Sequence, residues 1–132
     1  MLVVDANVVV YSLLESEMTA PARALWTADP DWHAPRLLFY ELANVLSRLV
    51  GNGAISRESA VRGLGDGAAL VKWTSEPPAS RVLDMACVLG ISAYDASYLA
   101  AAEALQVRLV TEDRRLLAVA PQIARSLRAS LM

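Results

Sequence analysis

The chain opens on Leu2-Val3-Val4, a short β-branched apolar run that stops at Asp5. A continuous apolar run of this kind predicts a strand buried on both faces of a parallel sheet. Val8, Val9, Leu13 and Leu14 then recur at helical spacing, so a helix begins near Asn7, although its β-branched residues weaken it. Pro21 opens a second helix that runs through Trp26, and Asp31 to Ala34 is a second strand. Leu38, Leu42, Val45, Leu46 and Leu49 share one face of a long helix from Leu37 to about Val50, which Gly51 and Gly53 stop.

Ser56 caps a fourth helix, which Gly63, Gly65 and Gly67 should end early. Ala69 to Trp73 is a third strand. Pro77 and Pro78 start a helix with Val82, Leu83, Ala86 and Leu89 facing inward, and Gly90 ends it. An alanine-rich helix follows from about Ala93 to Leu105, then a fourth strand from Val107 to Thr111 and a short helix from Arg114 to Val119. The tail, Gln122 to Met132, fits either a strand or a last amphipathic helix. Strands alternating with helices imply an α/β fold, a parallel sheet covered on both faces. No repeat or linker divides the 132 residues, so one domain is expected over 1–132.

Charge changes the picture little. The net charge of -2 excludes a generally basic nucleic-acid binder, so a polyanion would need a local basic patch. Lys72 is the only lysine, and every other cation is an arginine. The hydrophobic content of 55% exceeds the roughly 45–50% usual for soluble domains and hints at a covered interface. No apolar run approaches a membrane span, and no basic segment precedes the first strand, so neither a membrane helix nor a signal peptide is expected. Cys87 reads as a small core residue. With no internal disulfide available, a cytoplasmic location is expected.

Candidate chemistry lies in four acids. Asp5 ends the first strand, Glu41 borders the apolar face of the long helix in line with Asn44 and Arg48, Asp95 stands in the first turn of the alanine-rich helix, and Asp113 follows the fourth strand. Each has a local explanation. Asp5 and Asp113 can cap helices, Ser92-x-x-Asp95 resembles a capping box, and Glu41 can be a solvated border residue. Four such coincidences, at places a parallel fold would bring together, are better explained by one cluster. Asn7 and Thr111 add polar oxygens beside Asp5 and Asp113. Clustered carboxylates need a counter-charge, and Mg²⁺ or Mn²⁺ prefers such oxygens. One cysteine and one histidine, His33, are too few for zinc.

Four segments carry a family resemblance: Val3-Val4-Asp5-Ala6-Asn7, Tyr40-Glu41-Leu42-Ala43-Asn44-Val45-Leu46, Tyr94-Asp95-Ala96-Ser97-Tyr98-Leu99 and Val110-Thr111-Glu112-Asp113. In order and spacing the chain resembles a PIN domain, specifically the small VapC-type toxins of bacterial type II toxin–antitoxin pairs. The resemblance implies a twisted, mostly parallel central sheet with helices on both faces, and Mg²⁺- or Mn²⁺-dependent cleavage of RNA. By position it makes Asp5, Glu41, Asp95 and Asp113 the acidic quartet, with Asn7 and Thr111 in support. It also implies a homodimer and a cognate antitoxin protein.

Arg36, Arg114 and Arg115 flank the acids and are candidates for RNA phosphate contacts. Tyr94 and Tyr98 could stack bases, but core packing is expected for both. An exposed apolar surface on the first helices would suit a partner. Competing readings are a non-catalytic RNA- or protein-binding module and a metal-dependent DNA nuclease. A phosphoacceptor domain would want paired early acids and a late lysine. A haloacid-dehalogenase-type phosphatase would want an acid where Asn7 stands.

Overall fold

In a computed structural model describing residues 1–132, the apolar runs are buried as strands and the periodic segments as helices. The order is β1 (Leu2–Val4), α1 (Ala6–Leu13), α2 (Thr19–Ala28), β2 (Trp32–Ala34), α3 (Leu37–Gly51), α4 (Arg57–Ala69), β3 (Lys72–Trp73), α5 (Ala79–Leu89), α6 (Ala93–Leu105), β4 (Leu109–Val110), α7 (Arg114–Val119), β5 (Ala124–Arg125) and α8 (Leu127–Ser130). All neighbouring strands pair in parallel, in the order β3-β2-β1-β4-β5. The chain therefore lays strands outward from β1 in one direction, then returns and builds in the other. With right-handed crossovers this places α1 to α4 on one face and α5 to α7 on the other. Accordingly α1, α3 and α4 pack on one another, while α5 packs on α6 and α6 lies against β1 and β4.

β1 is central and wholly buried, as a continuous apolar run requires. Its neighbours Trp32, Ala34, Leu109 and Val110 are buried with it. The valines of α1 do not prevent the helix, because Val8 and Val9 are fully buried against the core and tertiary packing outweighs their weak propensity. Gly90 ends α5 in the left-handed region, as expected of a C-terminal glycine. The tail resolves into both of its readings: β5 extends the sheet, and α8 folds back against α2.

Four expectations are corrected. The fourth helix runs through all three glycines to Ala69, so β3 is only Lys72–Trp73. Gly67 explains why: a Cβ there would lie 2.5 Å from Leu42 Cδ2 and 3.1 Å from both Leu13 Cδ1 and Val9 Cγ1. The glycine lets α4 approach α1 and α3 closely. On α5 the buried stripe is Val82, Met85, Ala86 and Leu89; Leu83 and Cys87 lie off that stripe and are exposed. α5 packs chiefly on α6, so one narrow face suffices. Tyr94 is exposed, not core. Apart from Met1, Leu131 and Met132 at the termini, the exposed large apolar residues fall on α3 to α6 (Tyr40, Val61, Leu83, Val88, Tyr94), not on the first helices.

Gly67 and Gly65 test this packing. Gly67→Ala should destabilise the fold by about 1–3 kcal/mol through overpacking. Gly65→Ala, where no atom stands near the added Cβ, should stabilise it by roughly 0.5–1 kcal/mol. Chemical denaturation of both variants reads the two signs.

Candidate active site

The strand order reverses between β1 and β4, and ligands of open parallel sheets bind in the crevice beyond the strand ends at such a point. Asp5 leaves β1 there and Thr111 leaves β4. The Thr111 hydroxyl donates to Asp5 Oδ2 at 2.5 Å, and Thr111 Oγ1 accepts the Asp113 N–H at 3.0 Å. Asp5 Oδ1 accepts the Val8 N–H at 3.1 Å, capping α1. Both β-strand ends are thus fastened through one buried carboxylate.

Glu41 enters from α3, with Oε1 accepting the Tyr98 hydroxyl proton at 2.6 Å. Tyr98 is buried on α6, as expected, and its hydrogen bond joins helices from the two faces of the sheet. Glu41 is half-buried, which corrects the solvated-border explanation. Asp95 stands half-buried one helical turn before Tyr98. The Ser92 hydroxyl caps α6 by accepting the Asp95 N–H at 3.0 Å. Asp113 caps α7, with Oδ1 accepting the Leu116 N–H at 2.9 Å. The local caps are real, and at Asp5 and Asp113 they fix the carboxylate itself.

Asp5, Asn7, Glu41, Asp95 and Asp113 line one cleft of about 320 Å³, together with Asn44, Arg48 and Tyr98. Thr111 lies beneath it, bonded to Asp5. The alignment of Asn44 and Arg48 with Glu41 is legible in the sequence, but only the fold makes them part of the cleft lining. Their helical spacing of three and seven from Glu41 was the available signal.

The cleft is short of positive charge. Burial pushes the Asp5 carboxyl up to about 6, against the lowering effect of Thr111 and Val8, and the charges of Glu41 and Asp113 add to the rise. Burial also raises Glu41, opposed by the Tyr98 hydrogen bond and reinforced by Asp95. Asp95 is raised by burial and then by Asp113, with Ser92 and the Arg115 charge acting the other way. Burial, then the bond to Glu41, raises Tyr98, so this phenol remains a donor. Carboxylates held in these conditions favour a bound cation. No three acidic, histidine or cysteine side chains converge tightly enough to grip an ion by themselves. The four acids instead surround a shared volume, which suits an ion that keeps several of its waters.

The opposite edge of the sheet is balanced. There the N-terminal ammonium pairs with Asp29 at 2.8 Å, while Lys72 and His33 meet Asp31 at 2.7 and 2.9 Å. The only lysine is therefore spent away from the cleft. Of the proposed arginines, Arg36 stacks over Trp73 at 4.9 Å, Arg115 donates to the Gly90 carbonyl, and Arg114 is exposed beside Asp113. None of the three lines the cleft; Arg48 does.

A parallel α/β sheet with four carboxylates gathered at its switch point defines a protein built around an acidic cleft. The chain belongs to the PIN domain family, which it matches over residues 2–121. It is 38% identical to a protein named exonuclease VapC9 of Pyrobaculum aerophilum over 82 residues, 62% of either chain, so this match spans less than two thirds of that relative. Ribonuclease VapC9 of Mycobacterium tuberculosis and VapC ribonuclease Mb0985 of Mycobacterium bovis are each 35% identical over 118 residues, 88% of either chain. The crystal structure of PAE2754 from Pyrobaculum aerophilum superposes with a TM-score of 0.82 at 28% identity, covering 98% of this chain and 91% of that one.

The raised Asp5 carboxyl has a consequence for stability. Unfolded, the group titrates near 3.8; folded, near 6. Between those values the folded chain keeps a proton that the unfolded chain has lost. Asp5 therefore stabilises fully below about pH 4, and that contribution is lost as pH rises through about 6. The loss is on the order of 3 kcal/mol. In metal-free buffer, Asp5→Asn should gain on wild type by an amount of that order between pH 4 and 7. Denaturant midpoints measured across that range would show it; a pH-independent difference would contradict the assignment.

Proposed function

We propose that the protein is a Mg²⁺- or Mn²⁺-dependent endoribonuclease, the toxin of a type II toxin–antitoxin pair that inhibits translation by hydrolysing RNA phosphodiester bonds. The observation that carries this reading is the single cleft holding Asp5, Glu41, Asp95 and Asp113 at the switch point, where burial, reinforced by acidic neighbours, raises the carboxyls of Asp5, Glu41 and Asp95. Family membership and the ribonuclease names of the mycobacterial relatives support it.

In this reading Asp5, Asp95 and Asp113 would hold the ion, and Glu41 would share it, recruit a second or orient the attacking water. When bound, the ion supplies acidity to water and neutralises charge building on the phosphate. The protein's own part is positional. Thr111 and Val8 fix Asp5, and the Tyr98 hydroxyl fixes Glu41 while remaining protonated. Asn7 and Asn44 offer amides to substrate or water. Arg48 brings the cleft's only cationic side chain, and exposed Arg36 and Arg114 are reachable by phosphates farther along the strand. Arg115, held to Gly90, acts on Asp95 by its charge.

The partners follow from surface and family. An apolar groove of about 290 Å³ between α3 and α4, lined by Leu46, Val50, Ala60, Val61 and Leu64, supports a partner-covered face. We assign such faces to a second copy and to the cognate antitoxin. No helix is long and apolar enough to cross a membrane. The exposed, unpaired Cys87 fits a reducing cytoplasm.

Purified protein should cut closed circular RNA, which has no end for an exonuclease, in Mg²⁺ or Mn²⁺ and not in EDTA. Asp95→Ala should lose roughly 10²-fold or more of the rate while remaining folded. Retained activity would remove Asp95 from the site, and cleavage of single-stranded DNA alone would favour the DNA-nuclease reading. In sedimentation at micromolar concentration the protein should run as a dimer; a monomer would contradict the assembly.

A further inference from the structure

A second cavity adjoins the acid cleft. It is a groove of about 750 Å³ lined by Leu37, Tyr40, Glu41, Ala43, Asn44, Ser47 and Tyr94. It shares Glu41 and Asn44 with the cleft, so the two are continuous. Its aromatic members are the two most exposed tyrosines, Tyr40 at 67% and Tyr94 at 66%. Each immediately precedes an acid of the cleft on its helix: Tyr40-Glu41 on α3 and Tyr94-Asp95 on α6. Successive helical side chains diverge, so each pair presents a carboxylate to the cleft and a phenol ring to the groove.

Neither ring is explained by the core. An exposed aromatic ring left beside a reaction centre offers a flat apolar face and a polar tip. Beyond Tyr40 the aromatic surface continues: Phe39 meets Tyr40 edge-to-face at 5.4 Å, and Arg36 lies 5.9 Å from the Phe39 ring and 4.9 Å from that of Trp73. Asn44 and Ser47 add amide and hydroxyl groups to the groove lining.

We propose that this groove is a base-stacking subsite, in which Tyr40 and Tyr94 hold unpaired nucleobases of a single-stranded RNA next to the phosphate at the acids. The proposal rests on the ribonuclease reading and adds its substrate form. Four carboxylates repel a phosphate backbone, and only Arg48 counters them inside the cleft. Stacking is indifferent to that repulsion, because bases are neutral and every base has a π-face. Stacked bases would therefore add to whatever Arg36, Arg48 and Arg114 contribute through phosphates. A duplex, with its bases already stacked inside, would not use the groove.

The test is steady-state cleavage of a single-stranded RNA by wild type, Tyr94→Ala, Tyr40→Ala and Tyr94→Trp, repeated with an abasic residue walked along the substrate. Each alanine variant should raise KM roughly tenfold with kcat little changed, and the tryptophan variant should restore it. At one position near the cut, removing the base should penalise wild type but not Tyr94→Ala. Unchanged KM in both alanine variants, or abasic penalties equal in all proteins, would overturn the subsite while leaving the nuclease intact. Conversion of Tyr94→Ala to a monomer in sedimentation would also overturn it, assigning the rings to a contact between copies. A wild type that neither binds nor cuts RNA overturns the functional reading, and this one with it.

Discussion

Everything at the candidate site hangs on one buried carboxylate. Asp5 is the last residue of the central strand's run, and its two oxygens are already committed, one to the α1 backbone and one to Thr111 at the end of β4. A carboxyl in that position is expensive to ionise, and burial dominates its behaviour. The fold accepts it because strand order reverses between β1 and β4, which leaves a crevice no helix fills. Around that crevice the chain places the starts of α6 and α7, which carry Asp95 and Asp113, and one side of α3, which carries Glu41.

The local and the functional explanations of these acids prove compatible. A capping aspartate spends one oxygen on a helix N–H and keeps the other, as Asp113 does with Leu116. The cap fixes the rotamer, and the fixed rotamer aims the free oxygen. Glu41 is held differently, by a phenol that crosses from the opposite face of the sheet. Helices from both faces are therefore tied to one another through the site, so its geometry is a property of the whole sheet rather than of a loop.

Charge is distributed in keeping with this. At the amino edge of the sheet, Asp29 and Asp31 are matched by the chain terminus, His33 and Lys72, and their carboxyls are held below the usual range. At the carboxyl edge Asp5, Glu41 and Asp95 have no salt-bridge partner and are displaced upward, first by burial and then by acidic neighbours. Two sets of acids in one small fold thus have opposite electrostatic settings. Only the unmatched set has a reason to recruit something from solution.

The sequence by itself determined the element order and the parallel α/β class, because alternation of short β-branched runs with amphipathic stretches admits little else. It also picked out the four acids, since Asp5, Asp95 and Asp113 stand at element ends and Glu41 interrupts the border of an apolar helix face, where local chemistry is legible. It could not determine how elements face one another. The three glycines of α4 read as a helix stop, whereas Gly67 is there to admit Leu42. Cys87, Leu83 and Tyr94 read as interior, and lie on sides of α5 and α6 that nothing covers. Arg48 became part of the cleft, and the flanking arginines did not. These are long-range facts: burial depends on which helix lands on which face, and that is decided by strand order, which no local pattern encodes.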